Sequence, residues 1–161
     1  MSILSEALLF IGPSYVANAA PLLFGGGSPL DGGRNFVDGR PIFGSHKTVR
    51  GLFAGVIAGT IIGVAESLVD RNLLLGGFLI ALGAVLGDLL AAFVKRRLKI
   101  RPGSPFPVVD QLDFVLGALV LGSSVFPMSW AAILLVVLVT PPIHLGTNFG
   151  AYLLGIKKTY W

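Results

Sequence analysis

Long runs of apolar residues dominate the chain, and short polar stretches separate them. The runs lack the period of two that is typical of half-buried strands, so they predict membrane-spanning helices of about 20 residues each. We predict an all-α integral membrane protein with a single membrane domain, about five transmembrane helices and two polar cytoplasmic loops. The predicted spans are residues 2–24, 52–69, 73–94, 108–126 and 128–156, and the predicted loops are residues 25–51 and 95–111.

The composition agrees with this pattern. Of the 161 residues, 54% are hydrophobic and only 12% are charged, whereas soluble domains contain about a quarter charged residues. The chain contains no cysteine, which excludes a disulfide framework and any cysteine–metal site. A cleaved signal peptide would begin with basic residues, but the first apolar run carries Glu6 instead. We therefore interpret that run as a retained span.

The basic residues predict the orientation, because Lys and Arg concentrate in cytoplasmic loops. With five spans and the N-terminus outside, every basic residue except Arg71 lies on the cytoplasmic side. Four spans would leave Lys157 and Lys158 on the opposite side. We therefore predict a multi-pass protein of the cell membrane whose C-terminus and active site face the cytoplasm.

The stretch VKRRLKIRPGSPFPVVDQLDF, residues 94–114, concentrates opposite charges between two apolar runs. Five basic residues between positions 95 and 101 precede Asp110 and Asp113, and Asp88 lies near the end of the third span. Carboxylates three positions apart on a helix lie about 5–6 Å from each other and repel unless a cation lies between them. Magnesium is commonly held by one or two carboxylates together with substrate phosphates.

Cations, a glycine-rich loop and a divalent metal together suit a nucleoside triphosphate. The first loop adds Lys47 and Thr48 as candidates for phosphate contact. It contains no Walker A motif, because the lysine should follow the second glycine directly and Lys47 comes two residues later. Any phosphate contact by Lys47 and Thr48 therefore uses a backbone different from that of a P-loop.

Simpler interpretations exist for these features. The cations could set the topology and contact anionic headgroups. The acidic pair could stabilise the start of a helix, an effect of about 0.3–1 kcal/mol. His46 and His144 are the only histidines, so no histidine metal site is expected, and His144 is predicted to be a packing or capping residue. We expect no nucleic-acid partner.

Several motifs resemble a known family. The run from residue 87 to residue 113 resembles the signature of the membrane CDP-diacylglycerol synthase (phosphatidate cytidylyltransferase) superfamily. Its GDL, KR and D-R-hydrophobic-D elements correspond to Gly87-Asp88-Leu89, Lys95-Arg96 and Asp110-Gln111-Leu112-Asp113. Ala92 replaces the serine of that signature, and the GHGG run is absent. These departures favour another branch of the superfamily.

A shorter archaeal branch, the CDP-archaeol synthases, is more similar and covers most of the chain. The matching segments are Asn18-Ala19-Ala20-Pro21, Pro29-Leu30-Asp31-x-Gly33, Asp38-Gly39-Arg40, Gly44-x-x-Lys47-Thr48, Gly51, Asn148, Ala151-Tyr152 and Gly155-Ile156-Lys157. The resemblance implies a Mg²⁺-dependent cytidylyltransferase that joins CTP to a prenyl-ether glycerol phosphate lipid in the membrane and releases pyrophosphate.

The resemblance also implies roles for individual residues. The implied metal ligands are Asp88, Asp110 and Asp113, and the implied catalytic residues are Lys95, Arg96, Asp110 and Asp113. The implied nucleotide-binding residues are Asn18, Asp38, Lys47, Thr48 and Arg97. For Asn18 and Asp38 an alternative is that they hold the first loop in place. Rival functions are a CDP-alcohol phosphotransferase, whose acidic motif is absent, an anion transporter, and a structural protein that binds anionic lipids.

Overall fold

The structure, a computed structural model, describes residues 1–101 and 104–159 and is built from five α-helices. In chain order the helices are α1 (Ile3–Phe24), α2 (Val49–Glu66), α3 (Leu73–Arg97), α4 (Val109–Gly122) and α5 (Trp130–Leu153). The described residues form no strand, only two isolated bridges in the first loop. The all-α prediction is confirmed.

Four of the helices, α1, α2, α3 and α5, are long and apolar enough to cross a membrane. The fourth in sequence, α4, has 14 residues and is roughly 21 Å long, which is less than the hydrocarbon core of a bilayer. The predicted span 108–126 continued to Phe126 because that residue is apolar. In the structure Phe126 lies beyond the helix and packs against Gly76 of α3.

Two other helix ends differ from the prediction for local reasons. Helix α2 begins at Val49 rather than residue 52, because the Thr48 side chain accepts a hydrogen bond from the backbone N–H of Gly51 and caps the helix. Helix α3 continues through Lys95, Arg96 and Arg97, so these cations belong to its last turn and not to a loop. The predicted loop 95–111 also includes residues 102 and 103, which lie outside the described residues.

Glycine allows α1, α2 and α3 to pack closely. Helix α2 buries a glycine at every fourth position, namely Gly51, Gly55, Gly59 and Gly63. A β-carbon on Gly63 would lie 2.4 Å from the α-carbon of Gly77 in α3. In a bilayer the hydrophobic effect does not drive helices together, so this close backbone contact supplies much of the attraction.

Helix α5 is attached to the bundle along its first half. At its start the Glu6 carboxylate accepts a hydrogen bond of 2.8 Å from the backbone N–H of Ser129. Further along, the Tyr15 hydroxyl donates to the Thr140 hydroxyl at 2.9 Å. The buried residues of α5 are Ala132, Val136 and Thr140, and no described residue after Thr140 is buried. The second half of α5 therefore leaves space beside the other helices.

The helices alternate in direction, so one end of the bundle collects the ends of α1, α3 and α5 and the starts of α2 and α4. We call it the polar end. The first loop, residues 25–48, lies across it and is fixed to α3 by Arg97. The Arg97 guanidinium lies between the rings of Phe36 and Phe93, 5.0 and 4.7 Å from their centres, and its Nε is 3.0 Å from a carboxylate oxygen of Asp38.

Candidate active site

A cavity of about 820 Å³ occupies the polar end. Helices α1, α3, α4 and α5, both polar loops and the segment after α5 contribute to its wall. Seven of the predicted site residues line it: Asn18, Lys47, Asp88, Lys95, Arg96, Asp110 and Asp113. Residues that are far apart in the sequence, on α1, the first loop, α3 and α4, are thus brought to one enclosed space.

Two lysine–aspartate ion pairs connect the segments that form this cavity wall. The Lys47 ammonium lies 2.6 Å from one carboxylate oxygen of Asp88, which joins the first loop to α3. The Lys95 ammonium lies 2.9 and 2.8 Å from the two oxygens of Asp110, which joins α3 to α4. Asp110 also accepts a hydrogen bond from the backbone N–H of Phe106. Each pair is partly exposed to the cavity, so an incoming anion can reach the lysines.

Asp113 is the carboxylate without such a lysine. Its Oδ1 accepts a hydrogen bond of 2.6 Å from the backbone N–H of Phe114, and among the described residues it has no ion-pair partner. Asp88, Asp110 and Lys47 all lie within electrostatic reach of it. The cavity wall thus carries three carboxylates, and one of them is not neutralised by a lysine.

These carboxylates fit a magnesium ion only in combination with a ligand. Within residues 1–101 and 104–159, no three acidic or histidine side chains converge closely enough to hold a metal by themselves. Magnesium needs only one or two carboxylates when phosphate oxygens and water complete its shell. The oxygen donors of Asp88, Asp110 and Asp113 suit a metal that arrives with a polyphosphate.

Arg96 places a buried positive charge against the cavity. The side chain is 6% exposed, and its Nε and Nη1 atoms have no hydrogen-bond partner among the described residues. A buried cation without a partner is unfavourable for folding, so such groups are usually kept for a ligand. The guanidinium offers planar, two-pronged donation of the kind that phosphate accepts.

Three predicted nucleotide-binding residues lie elsewhere. Thr48 caps α2, as described above, and borders a small separate cavity beside Asn18. Asp38 and Arg97 pair with each other and do not line the large cavity. The alternative role foreseen for Asp38, holding the first loop in place, describes its contacts. Nucleotide binding by these three residues stays a prediction.

Helix α5 contributes side chains that the sequence prediction undervalued. His144 and Asn148 both line the cavity, and the Asn148 side-chain nitrogen lies 3.2 Å from Nδ1 of His144. His144 was predicted to pack or cap, and its ring does pack 6.0 Å from that of Phe114. The spacing of Thr140, His144 and Asn148, four residues apart on an apolar helix, is the signal that marks one polar face.

Lys157 follows α5 and also lines the cavity. Burial lowers the pKa of its ammonium from the ordinary value, and the Asp110 carboxylate acts in the opposite direction. A fourth cation therefore lies within electrostatic reach of the Asp110 carboxylate.

Comparison with known proteins shows which family the chain belongs to. The family profile described as CarS-like, CDP-archaeol synthase, matches residues 1–161. The chain belongs to the CDP-archaeol synthase family. A CDP-archaeol synthase of Methanocaldococcus jannaschii is 42% identical over 99% of this chain and 98% of that protein. One of Methanopyrus kandleri is 44% identical over 98% of this chain and 94% of that protein.

A solved structure agrees with the fold as well. It is described as an intramembrane enzyme for archaeal membrane lipids biosynthesis and is 39% identical, with a TM-score of 0.84 over 91% of this chain and 94% of that one. The CDP-archaeol synthase family resemblance, the multi-pass membrane architecture and the prediction of a CTP-dependent nucleotidyltransferase are confirmed. The roles of individual residues, the metal and the orientation stay predictions.

Proposed function

We propose that this chain catalyses a Mg²⁺-dependent transfer of the cytidylyl group from CTP to a geranylgeranyl-ether glycerol phosphate, with release of pyrophosphate. The observation that carries the proposal is the buried Arg96 side chain at the cavity wall, two of whose guanidinium nitrogens have no hydrogen-bond partner among the described residues. Folding does not need this charge, whereas a triphosphate does.

The cations of the cavity suit the nucleotide's phosphates. Arg96 can donate two parallel hydrogen bonds to one phosphate group, and Lys95 of α3 and Lys47 of the first loop add point charges at the same cavity. The salt bridges of Lys95 to Asp110 and of Lys47 to Asp88 hold both ammonium groups at the cavity wall. Positioning and charge neutralisation are the main requirements of phosphoryl transfer, and these three residues supply both.

The reaction is a single displacement at phosphorus. An oxygen of the lipid phosphate attacks the α-phosphorus of CTP and forms the new P–O–P link, while the bond between the α-phosphorus and its bridging oxygen to the β-phosphate breaks. Pyrophosphate leaves with the electron pair of that bond. Lys95 and Arg96, which both line the cavity, stabilise the negative charge that develops on the leaving group.

Magnesium, when bound, would neutralise phosphate charge and orient the two reacting groups. Asp113, with no ion-pair partner among the described residues, is the first candidate ligand, and Asp110 and Asp88 are the others. These carboxylates line one cavity from α3 and α4, so they would hold the ion next to the phosphates of both substrates.

The position of the cavity supports a cytoplasmic site. It lies at the end of the bundle that collects the first loop and the last turn of α3, where the basic residues concentrate. Lys and Arg favour the cytoplasmic side of a membrane. Soluble CTP could therefore enter from the cytoplasm, while the lipid acceptor stays in the bilayer.

The test uses the purified chain in detergent with labelled CTP, magnesium and the geranylgeranyl-ether glycerol phosphate. Pyrophosphate release should vanish in Asp113→Asn and fall sharply in Lys95→Ala. In Arg96→Gln it should fall at least about 100-fold, because two charged hydrogen bonds to phosphate are lost. The melting temperature of Arg96→Gln should not fall, because an unpaired buried charge is removed.

Arg101→Gln provides the matched control, because Arg101 is an exposed cation a few residues further along. It should keep the wild-type rate. Equal losses in Arg101→Gln and Arg96→Gln, or normal release by Asp113→Asn and Lys95→Ala together, would contradict this site. Omission of magnesium and addition of a chelator should abolish release in the wild type.

A further inference from the structure

The second half of α5 forms a wall of the cavity that none of the steps above uses. Beyond Thr140 no described residue of this helix is buried, yet His144, Leu145 and Asn148 all line the cavity. The helix is held to α1 by the Tyr15–Thr140 hydrogen bond just before this point. The cavity therefore extends between α5 and the rest of the bundle, away from the cations at the end of α3.

The polar groups on this wall are held in place. The Phe114 ring packs against His144 on one side and against Tyr15 on the other, where the two ring centres are 5.2 Å apart in an edge-to-face arrangement. The Asn148 amide nitrogen lies 3.2 Å from Nδ1 and 3.5 Å from Nε2 of His144, so the two side chains are in contact on this wall. The amide and a neutral imidazole each carry an N–H group that can donate to a further acceptor.

The apolar residues of the same wall reach the outer surface of the bundle. Leu22 at the end of α1, Leu145 of α5 and Ile156 line the cavity and are nevertheless 47%, 44% and 45% exposed. Side chains that border both a cavity and the surface mark its opening. Since α1 and α5 both cross the membrane, this opening faces lipid rather than the aqueous loops.

Taken together, these features describe a site for an amphiphile that enters from the side. Its charged group would meet a fixed hydrogen-bond donor pair and the Lys157 cation, and its chains would leave between α1 and α5. In the proposed function the nucleotide's phosphates bind next to Arg96 on α3. Anionic groups held by α3 and α5 in one cavity can approach each other, as an attack on phosphorus requires.

We propose that His144 and Asn148 bind the phosphate of the lipid acceptor, and that its chains enter the cavity between Leu22 of α1 and Leu145 of α5. The inference rests on the proposed function, since it assigns the second substrate of that reaction. It separates the cavity into a nucleotide wall on α3 and a lipid wall on α5.

The first experiment measures both Michaelis constants in His144→Gln and Asn148→Asp. In Asn148→Asp the new negative charge opposes the lipid phosphate, so the KM for the lipid should rise at least about tenfold, with the KM for CTP unchanged. His144→Gln should also raise the KM for the lipid and leave the KM for CTP unchanged, but the increase should be smaller. Thr147→Val is the control on the same helix, because Thr147 is exposed and does not line the cavity; it should match the wild type.

A binding readout separates this inference from the proposed reaction. Native mass spectrometry should show that the wild type retains the geranylgeranyl-ether glycerol phosphate in preference to the uncharged glycerol ether, and Asn148→Asp should lose this preference. A higher KM for CTP with an unchanged KM for the lipid would overturn the assignment of α5 and leave the reaction standing. Retained lipid phosphate without pyrophosphate release in the wild type would instead overturn the reaction.

The entry route has its own test. Leu145→Trp fills the opening, so turnover of the long-chain lipid phosphate should fall at least about tenfold, while a soluble short-chain glycerol phosphate analogue should react at the wild-type rate. Leu138→Trp is the control, because Leu138 is exposed on the same helix and does not line the cavity. Equal loss for the long and the short substrate in Leu145→Trp would contradict lateral entry.

Discussion

Asp31 organises the first loop by accepting backbone hydrogen bonds. Its Oδ2 accepts from the N–H groups of Phe43 and Gly44 at 2.9 and 3.0 Å, and its Oδ1 accepts from Gly33 at 3.0 Å. Partial burial acts to raise the pKa of this carboxylate, but the N–H donors outweigh it and hold the pKa below the ordinary value. The loop that carries Lys47 is thereby folded around a single negative charge.

Asp31→Asn should destabilise this loop, because the amide offers one acceptor where the carboxylate offers two, and buried N–H donors lose their partners. We expect a loss of about 1–3 kcal/mol and slower pyrophosphate release. Because the folded-state pKa is lowered, the stabilisation is complete above the ordinary aspartate pKa and disappears as the pH falls through the folded value. The difference in melting temperature between wild type and variant should therefore close in acid.

The control for this prediction is Asp70→Asn at the opposite end of the bundle. Asp70 accepts a single hydrogen bond, from the backbone N–H of Asn72 in a partly exposed turn. Its replacement should leave the melting temperature nearly unchanged at every pH. A difference for Asp31→Asn that persists at low pH would show that the carboxylate charge is not what stabilises the loop.

At the scale of single residues, the sequence predicted which aspartates meet at the site, but not which lysine pairs with each of them. Asp88, Asp110 and Asp113 were expected to converge, and the structure brings all three to one cavity. Which lysine pairs with which acid could not be predicted, because Lys47 meets Asp88 only after the first loop folds back over α3. Arg97 looked like its neighbour Arg96 in the sequence, but one residue turns a helical side chain by about 100°, towards Phe36.

At the scale of helices, α2 depends on the absence of side chains along one face. A β-carbon on Gly59 would lie 2.6 Å from the β-carbon of Ala81 in α3 and 2.7 Å from the carbonyl oxygen of Pro13 in α1. These distances are too short for real contacts, and both neighbours belong to packed helices. The three helices would have to move apart.

Gly59→Ala should therefore reduce stability by about 1–3 kcal/mol, measured by thermal unfolding in detergent. Gly146→Ala in α5 is the matched control, because a β-carbon there meets nothing within 4 Å. Alanine is the better helix former, so the control should be neutral or slightly more stable. A similar loss at both positions would contradict the view that contact with α1 and α3 is what makes Gly59→Ala destabilising.

The order and the type of the helices could be predicted, whereas several of their ends could not. Hydropathy records the apolar character of side chains, so the predicted third span stopped at residue 94, although its backbone stays helical to Arg97. For the same reason the predicted second span ran to residue 69, through the apolar Leu68 and Val69 that follow the helix end at Glu66. Backbone hydrogen bonding and caps decide where a helix ends, and hydropathy does not detect them.

At the scale of the molecule, the distribution of charge predicts the orientation. The chain contains no cysteine, so single cysteines can be introduced into the unmodified sequence. Ser45→Cys lies in the exposed part of the first loop at the polar end, and Val69→Cys lies in the exposed turn after α2 at the opposite end. With the polar end in the cytoplasm, a membrane-impermeant maleimide should label only Val69→Cys in intact cells.

Permeabilised cells should show labelling of both variants, which verifies that each cysteine is reactive. Labelling of Ser45→Cys alone in intact cells would reverse the orientation. The predicted orientation depends on Lys157 and Lys158, because these residues lie on the same side as the other polar segments only when five helices are counted. The short helix α4 is therefore as important for the topology as the four long ones.

The two lysine–aspartate pairs have a consequence for how ligands are admitted. An ammonium that also donates to a phosphate oxygen divides its charge between two anions, which weakens its pairing with the carboxylate. Arrival of a polyphosphate at Lys47 and Lys95 would thus make oxygen atoms of Asp88 and Asp110 available to a cation that travels with it. The polyphosphate makes the carboxylates available to the cation, and the cation makes the lysines available to the polyphosphate. When both ligands leave, the lysines and aspartates pair with one another again.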